Sequence, residues 1–445
     1  MNQLKTFIIN LKERKDRRES VLKEFSNRKE FAIQIVEAIK HNVGAVGLWQ
    51  TIRNILKDLN GHESDFILIC EDDHQFTTDF SYQNLFTAIA EAGEKEADIL
   101  CGGVSWFNNA VPVSNNLYWV EKFSGLQFTV IFKKFFRIIL NATFNEFEAA
   151  DYKISDLTVN KFFIFPFIST QKDFGYSDVT PKNNVPGRVS QLFDECIERV
   201  SVLNKITRHY QNIRSNTLDI CMDEYKDVVI PAYIIHLSER VERKVHIEEQ
   251  FLNRNEFELI FIEGYKHKIG AVGLWLSIRK IVEISIKNDD DIIIVCEDDH
   301  QFTEYYSKQL LIKTILEAGA RNADMLIGGV VDSKLSVPIA NELFWVGEFN
   351  STQFLVLFKN VYKKIIDEPF DEKVTADGKL SEIAGNKLLF YPFISIQREF
   401  GYSDISPVNN NIREQLPNEK KFEMATNRLK KINDIKNTWG LRKNI

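Results

Sequence analysis

The chain has 445 residues, a formal net charge of −7, 44% hydrophobic and 27% charged residues. That length exceeds one ordinary core and sets two domains as the expectation, in a composition typical of soluble globular proteins. The pI of about 5.8 argues against a dedicated nucleic-acid binder, and no apolar run approaches the ~18 residues of a membrane span. Met1 to Asn10 lacks the apolar core of a signal peptide. A cytoplasmic protein is expected, at most attached to a membrane surface. The five cysteines (Cys70, Cys101, Cys196, Cys221 and Cys296) form no CxxC pair, so free thiols in a reducing compartment are expected.

The sequence repeats itself at a constant offset. Glu71 matches Glu297, and 297 − 71 = 226; Gly44 and Gly270, Pro166 and Pro392, and Asp178 and Asp404 keep the same spacing. A period this long makes each copy a whole domain rather than a solenoid repeat. The expected division is a first domain over residues 1–184, a helical connector over 185–229, a second domain over 230–410 and a helical tail over 411–445.

Each copy opens with a strand, Thr6 to Leu11 or Ala232 to Leu237. A helical pattern follows, from Arg18 to Phe25 in the first copy. The copies share Leu11/Leu237, Arg14/Arg240 and Arg17/Arg243 at the junction. Basic residues there suit a phosphate-bearing ligand, or simply a solvated helix start. A second strand runs over Ala32 to Val36, or Glu258 to Ile262. Gly44-Ala45-Val46-Gly47 and Gly270-Ala271-Val272-Gly273 then open a helix. Their glycines permit either close approach to a ligand or close packing on the sheet.

Ile67-Leu68-Ile69-Cys70 ends in Glu71-Asp72-Asp73-His74, and Ile293 to Cys296 ends in Glu297-Asp298-Asp299-His300. A short apolar run reads as a buried strand, and its C-terminal end is where open α/β sheets place their ligand crevice. Adjacent carboxylates repel one another, and a divalent cation relieves that. Alternation along a strand puts Glu71 and Asp73 on one side, with Glu297 and Asp299 as their counterparts. Asp72 and Asp298 point elsewhere, to a ribose hydroxyl or a structural bond. His74 or Asp178 completes the metal shell on this reading.

A helix is expected from Leu85 to Ala92, stopping at Gly93 (Gly319). Short strands follow at Asp98 to Cys101, Tyr118 to Val120 and Leu126 to Phe132, with Gln127/Gln353 kept. Asp151 and Asp377 persist in an otherwise poorly matched polar segment. Each is a candidate general base, with a helix cap as the alternative. The last strand, Phe162 to Ile168, leads into Gln171 to Asp178, mirrored by Gln397 to Asp404. Arg188 to Ile213 reads as helix, Arg214 to Asp227 as polar linker, and Asn418 to Lys436 as a charged surface helix.

The opening Asn10-Leu11-x-x-Arg14-x-x-Arg17, the Gly-x-Val-Gly turn, the Glu-Asp-Asp strand end and the late Ser177-Asp178 together resemble the family 25 glycosyltransferases. That family includes bacterial lipooligosaccharide and collagen β-galactosyltransferases. The resemblance implies two tandem GT-A domains, α/β and Rossmann-like with mixed, mainly parallel sheets. It implies a nucleotide-sugar donor, best taken as UDP-galactose, and manganese (or magnesium) at Glu71, Asp73 and Asp178, with Glu297, Asp299 and Asp404 in the second copy. Asn10, Leu11, Arg14, Arg17, Gly44 and Asp72 would lie at the nucleotide. Their counterparts are His236, Leu237, Arg240, Arg243, Gly270 and Asp298. The acceptor would be a hydroxyl of a glycan, glycolipid or peptide, with inversion at the sugar carbon. Both copies read as active, or one reads as catalytic beside an acceptor-binding or dimer-like copy. A non-catalytic nucleotide-sugar or carbohydrate-binding protein is the rival class. A metal-dependent nucleotidyl- or phosphotransferase is a second enzyme rival, since the same strand-end acids could serve it, though the lack of a GxxxxGK(S/T) word disfavours its P-loop form.

Overall fold

The computed structural model describes residues 3–59, 64–176, 184–212, 222–370, 372–401 and 416–440. Residue contacts divide the chain into two compact units, Met1–Lys205 with Asp434–Ile445, and Ile206–Asn433. Both are mixed α/β.

The first unit runs β1 (Leu4–Asn10), α1 (Lys15–Phe25), β2 (Phe31–Glu37), α2 (Gly44–Asp58), β3 (Phe66–Glu71), β4 (His74–Phe76) and α3 (Tyr82–Glu94). It continues through β5 (Ile99–Cys101), β6 (Trp106–Phe107), β7 (Ala110–Pro112), β8 (Leu117–Val120), β9 (Phe123–Ser124) and β10 (Phe128–Phe132). The final elements are α4 (Lys133–Asn141), α5 (Ala150–Asp156), β11 (Lys161–Ile164), β12 (Ser169–Gln171) and α6 (Arg188–Asn212), whose last turns belong to the second unit.

Eight strands form one sheet in the order β2-β1-β3-β10-β5-β11-β8-β7. Only β10 and β8 run against the others, since β10 pairs antiparallel with β3 and β5, and β8 with β11 and β7. β3 lies between β1 and β10, an interior strand of the sheet, and the side chains on both its faces are buried. That is why Ile67, Leu68, Ile69 and Cys70 form an unbroken apolar run instead of alternating. The run stops where the sheet stops, and the acids begin there.

The second unit repeats this order with Phe257–Glu263, Ile230–His236, Ile292–Glu297, Phe354–Phe358, Met325–Ile327, Lys387–Phe390, Leu343–Trp345 and Val337–Ala340.

Helix α2 buries Ala45, Gly47, Trp49, Ile52, Ile55 and Leu56, a helical spacing that faces one side to the sheet. A Cβ on Gly47 would stand 2.3 Å from the Ile39 carbonyl oxygen, and one on Gly273 2.3 Å from that of Tyr265. The second glycine of each turn therefore serves close packing. Ser81 caps α3 by accepting from Asn84 N at 3.0 Å. That helix runs through Gly93 to Glu94, past the expected stop, because Gly93 keeps helical backbone and Lys95 makes the C-cap. The expected strand from Phe162 to Ile168 stops at Ile164, the end of β11, just before a cis Phe165–Pro166 bond, and the next strand, β12, begins only at Ser169. The described cysteines, Cys70, Cys101, Cys196 and Cys296, are free and buried; Cys221 lies outside the described residues. No helix among the described residues is long and apolar enough to cross a membrane.

Candidate active site

The acidic turn joins β3 to β4, which pairs antiparallel with β12. Asp72 is turned inward and 5% exposed. It accepts from Asn10 Nδ2 at the end of β1 (2.9 Å) and from Arg17 Nη1 on α1 (3.2 Å), with Arg14 at 3.9 Å. Of the two alternatives for this residue, the structural bond is the one present. Arg17 Nη1 also reaches Asp73 Oδ2 at 3.3 Å, and its Nη2 donates to the Tyr176 carbonyl. The Arg17 guanidinium lies 4.8 Å from the Phe174 ring centre and 4.5 Å from that of Tyr176.

The second unit reproduces this geometry with one substitution. His236 Nδ1 takes the place of Asn10 Nδ2, 3.0 Å from Asp298 Oδ2. Arg243 Nη1 donates to Asp298 Oδ1 at 2.9 Å and to Asp299 Oδ2 at 3.4 Å, with Arg240 3.7 Å from Asp298. Asparagine and histidine each offer a nitrogen donor at the right reach, so the departure in sequence leaves the contact intact.

Burial pushes the Glu71 carboxyl well above its ordinary range, and the charges of Asp73, Asp72 and Asp151 push the same way against Arg17. Burial raises Asp73 to about 6, with Arg17 opposing. Glu297 is raised to about 8 and Asp299 to about 6, again chiefly by burial. The second oxygens, Oδ1 of Asp73 and Oδ1 of Asp299, are buried without a hydrogen-bond partner.

A divalent cation fits this arrangement. It would give Asp73 Oδ1 its missing partner and relieve the crowding with Glu71. Among the described residues no three His, Cys, Asp or Glu side chains converge into a ready metal cage. Two carboxylates are nonetheless what magnesium commonly takes from protein when substrate phosphates and water complete its shell. Asp178 and Asp404, expected as further ligands, lie outside the described residues.

His74 is not available as a ligand, contrary to the sequence expectation. It is 1% exposed, its Nδ1 is 2.8 Å from Ser169 Oγ, and its ring packs among Phe25, Phe76 and Phe128. Burial holds it neutral, down to about 3. His300 repeats the arrangement on Ser395, 2.7 Å away. The turn between β3 and β4 leaves Glu71 and Asp73 at the crevice, and His74, the first residue of β4, enters the aromatic core.

In the first unit these groups face a cavity of about 380 Å³. Arg14, Arg17, Glu71, Asp72 and Asp73 line one part of it, and Trp106, Gly125, Asp151, Tyr152, Lys172 and Tyr176 another. Asp151 is in the first turn of α5. Its Oδ2 accepts from Gly125 N (3.1 Å) and its Oδ1 from Tyr152 N (2.8 Å), while burial raises its pKa. Asp377 is held in the same way, by Ser351 N at 3.0 Å and Gly378 N at 2.9 Å. Gln127 and Gln353 are interior fasteners, donating to the Gly103 and Gly329 carbonyls at 2.9 Å each.

Asn10 sits beneath the cavity on Asp72. Leu11 and Gly44 are outside its lining, to which α2 contributes Leu48. Leu237 lies beside Gly264, and Gly270 opens the helix Gly270–Asn288. Sequence reasoning did not find Trp106, Tyr152, Gly125 and Tyr176. Trp106, Tyr152 and Gly125 come from β6, α5 and a connection whose sequences carry no distinctive word, while Tyr176 lies in the repeated Gln171 to Asp178 segment, where the sequence assigns it no role. A shallower depression along α3, lined by Tyr82 and Phe86 among others, contains none of the site residues.

No protein-family model matches the chain, and no curated protein sequence matches it. Solved structures resemble parts of it weakly. A197 from STIV is 12% identical over 43% of this chain and 98% of its own, with a TM-score of 0.29. UDP-glucose pyrophosphorylase complexed with UDP-glucose is 9% identical over 46% of this chain and 99% of its own, with a TM-score of 0.26. A mannosyltransferase from Pyrobaculum calidifontis, in complex with GDP-Man and Mn2+, is 11% identical over 42% of this chain and 61% of its own, with a TM-score of 0.22.

Proposed function

We propose that this chain is a metal-dependent glycosyltransferase that moves a sugar from a nucleotide-sugar donor to a hydroxyl of a glycan, glycolipid or peptide. UDP-galactose is the first donor to test, on the resemblance to family 25. The observation that carries the reading is one cavity holding three kinds of group. These are a buried carboxylate oxygen lacking a partner (Asp73 Oδ1), two arginines beside it, and a separate fixed carboxylate, Asp151. Glu71 and Asp73 would hold the manganese or magnesium ion. When bound, that ion offsets charge developing on the departing diphosphate.

The chain's own residues do the rest. Arg14 and Arg17 supply cationic donors to diphosphate oxygens, with Arg17 already fixed by Asp72. Asp151 accepts the proton of the acceptor hydroxyl through a carboxylate that two backbone N–H groups hold in place. A base on one side and a leaving diphosphate on the other favour displacement with inversion.

The second unit, through Glu297, Asp299 and Asp377, is either a second active site or a non-catalytic copy. Two substitutions distinguish it from the first unit. Thr352, where the first unit has Leu126, donates to Glu297 Oε1 at 2.6 Å. Ser351, where the first unit has Gly125, adds a side chain whose Oγ is 3.2 Å from Val331 N.

The test is nucleotide release from a panel of UDP- and GDP-sugars, with manganese and with EDTA. Wild type, Asp73→Asn, Asp299→Asn and the double variant are compared. Manganese-dependent turnover lost only in the double variant supports two working sites, and loss in Asp73→Asn alone assigns the chemistry to the first unit. If no donor turns over and calorimetry finds no manganese-dependent donor binding, the transferase reading fails.

A further inference from the structure

One part of the cavity is aromatic, and the repeat makes that informative. Trp106 on β6 and Tyr152 on α5 both line it, with ring centres 5.9 Å apart and planes at 89°. They are brought together by β6 pairing with β9 and by α5 packing on that same ribbon. Lys122 Nζ lies 5.2 Å from the Tyr152 ring centre. Tyr152 N donates to Asp151 Oδ1, so the aromatic wall adjoins the carboxylate read as the base. Tyr152 is 40% exposed and Trp106 is half-buried, so neither ring is consumed by the core.

The counterparts 226 residues later are Asp332 and Gly378. Asp332 is ion-paired with Arg428, and Gly378 has no side chain to offer. The acidic turn, the two arginines and the aspartate on the short helix occur in both units. The aromatic wall does not. Its purpose is therefore separable from holding a metal or a diphosphate.

We propose that Trp106 and Tyr152 form the subsite for a pyranose ring of the acceptor in the first unit, and that the second unit does not take this acceptor. The assignment rests on the transferase reading. A sugar presents an apolar C–H face and a polar hydroxyl rim. Indole and phenol rings offer the matching apolar surface with polar tips, and Asp151 stands at the rim where a hydroxyl would sit. A cavity of about 380 Å³ is within the range, about 300–1,000 Å³, that encloses small ligands. A glycan or glycolipid acceptor has such a ring; an unglycosylated peptide does not.

Saturation-transfer NMR on the full chain tests this, using the methyl glycosides of galactose, glucose, mannose and N-acetylglucosamine as probes. Wild type is expected to bind at least one of them. Trp106→Ala and the double variant Trp106→Asp/Tyr152→Gly, which copies the second unit, should weaken that binding at least tenfold, and Trp106→Phe should recover most of it. Melting curves confirm that each variant is folded. Equal binding by wild type and the double variant would overturn the proposal, as would no binding of any probe by wild type. The transferase reading is read separately, from manganese-dependent UDP-sugar affinity in wild type and its loss in Asp73→Asn. If that affinity is absent while the glycoside results hold, the rings are a carbohydrate site and the acceptor assignment is overturned.

Discussion

Replacing Arg17 by methionine is the sharpest test of how the acidic turn is held. The side chains of Arg17 and Asp72 are 5% and 6% exposed, and that of Asp73 is 17% exposed. One guanidinium nitrogen serves both acids, at 3.2 and 3.3 Å. At an effective dielectric near 20, each contact is worth about 5 kcal/mol of Coulomb energy, most of which offsets the cost of burying the charges. Methionine fills similar volume but removes the close ion pairs to Asp72 and Asp73, leaving Asp72 with Asn10 and the more distant Arg14. The expected loss is about 3–5 kcal/mol. Arg14→Met is the control: its side chain is 14% exposed and 3.9 Å from Asp72, so about 1 kcal/mol is expected. Arg17→Lys should restore only part of the loss, since a single ammonium cannot span two acids and the Tyr176 carbonyl. With two units in one chain, global unfolding mixes both. Amide hydrogen exchange resolved to β1 and β3 reads the first unit alone, and the strand Ile292–Glu297 of the second serves as internal reference. A change below about 1 kcal/mol in β3 after Arg17→Met would refute the reasoning, because breaking a buried ion pair costs several times that.

Three further outcomes follow from the same structure. Gly47→Ala places a Cβ 2.3 Å from the Ile39 carbonyl, which must move; exchange protection in α2 should fall by about 1–3 kcal/mol, and Gly93→Ala, whose nearest neighbour would be Phe132 at 3.8 Å, should cost nothing measurable. Burial lowers Lys387 from 10.5 to about 8, so between those pH values the unfolded chain binds the extra proton and stability rises with pH. That slope, up to about 3 kcal/mol over the window, should vanish in denaturant titrations of Lys387→Met. Finally, manganese with UDP should raise the melting temperature of wild type, and the shift should be lost in the Asp73→Asn/Asp299→Asn double variant. At a hundredfold excess over Kd the linked stabilisation is about 2.7 kcal/mol, large enough to see by calorimetry.

The sequence by itself determined the central strands of the sheet, the doubling and the acidic turn, because those signals are local; the short strands β4, β6, β7 and β9 were not legible in it. Ile67 to Cys70 reads as a buried strand and the acids after it as its C-terminal end, as the structure has them. The constant offset implied that the two copies share one strand order, which they do. Alternation along the strand set Asp72 apart from Glu71 and Asp73; in the structure β3 ends at Glu71, the three acids line one cavity, and Arg17 bridges Asp72 and Asp73. What each side chain then meets is a long-range matter. His74 looked like a ligand beside the acids and is a core residue, because Phe25, Phe76 and Phe128 arrive from distant positions to enclose it. Asn10 and His236 differ in sequence and coincide in space, because the fold asks that position only for a nitrogen donor to the buried aspartate. Trp106 and Tyr152 carry no sequence word at all. Only the packing of α5 against the β6–β9 ribbon, across more than forty residues of chain, brings them to the same cavity. Burial and partners are properties of what the chain returns to touch, and the tertiary structure alone decides them.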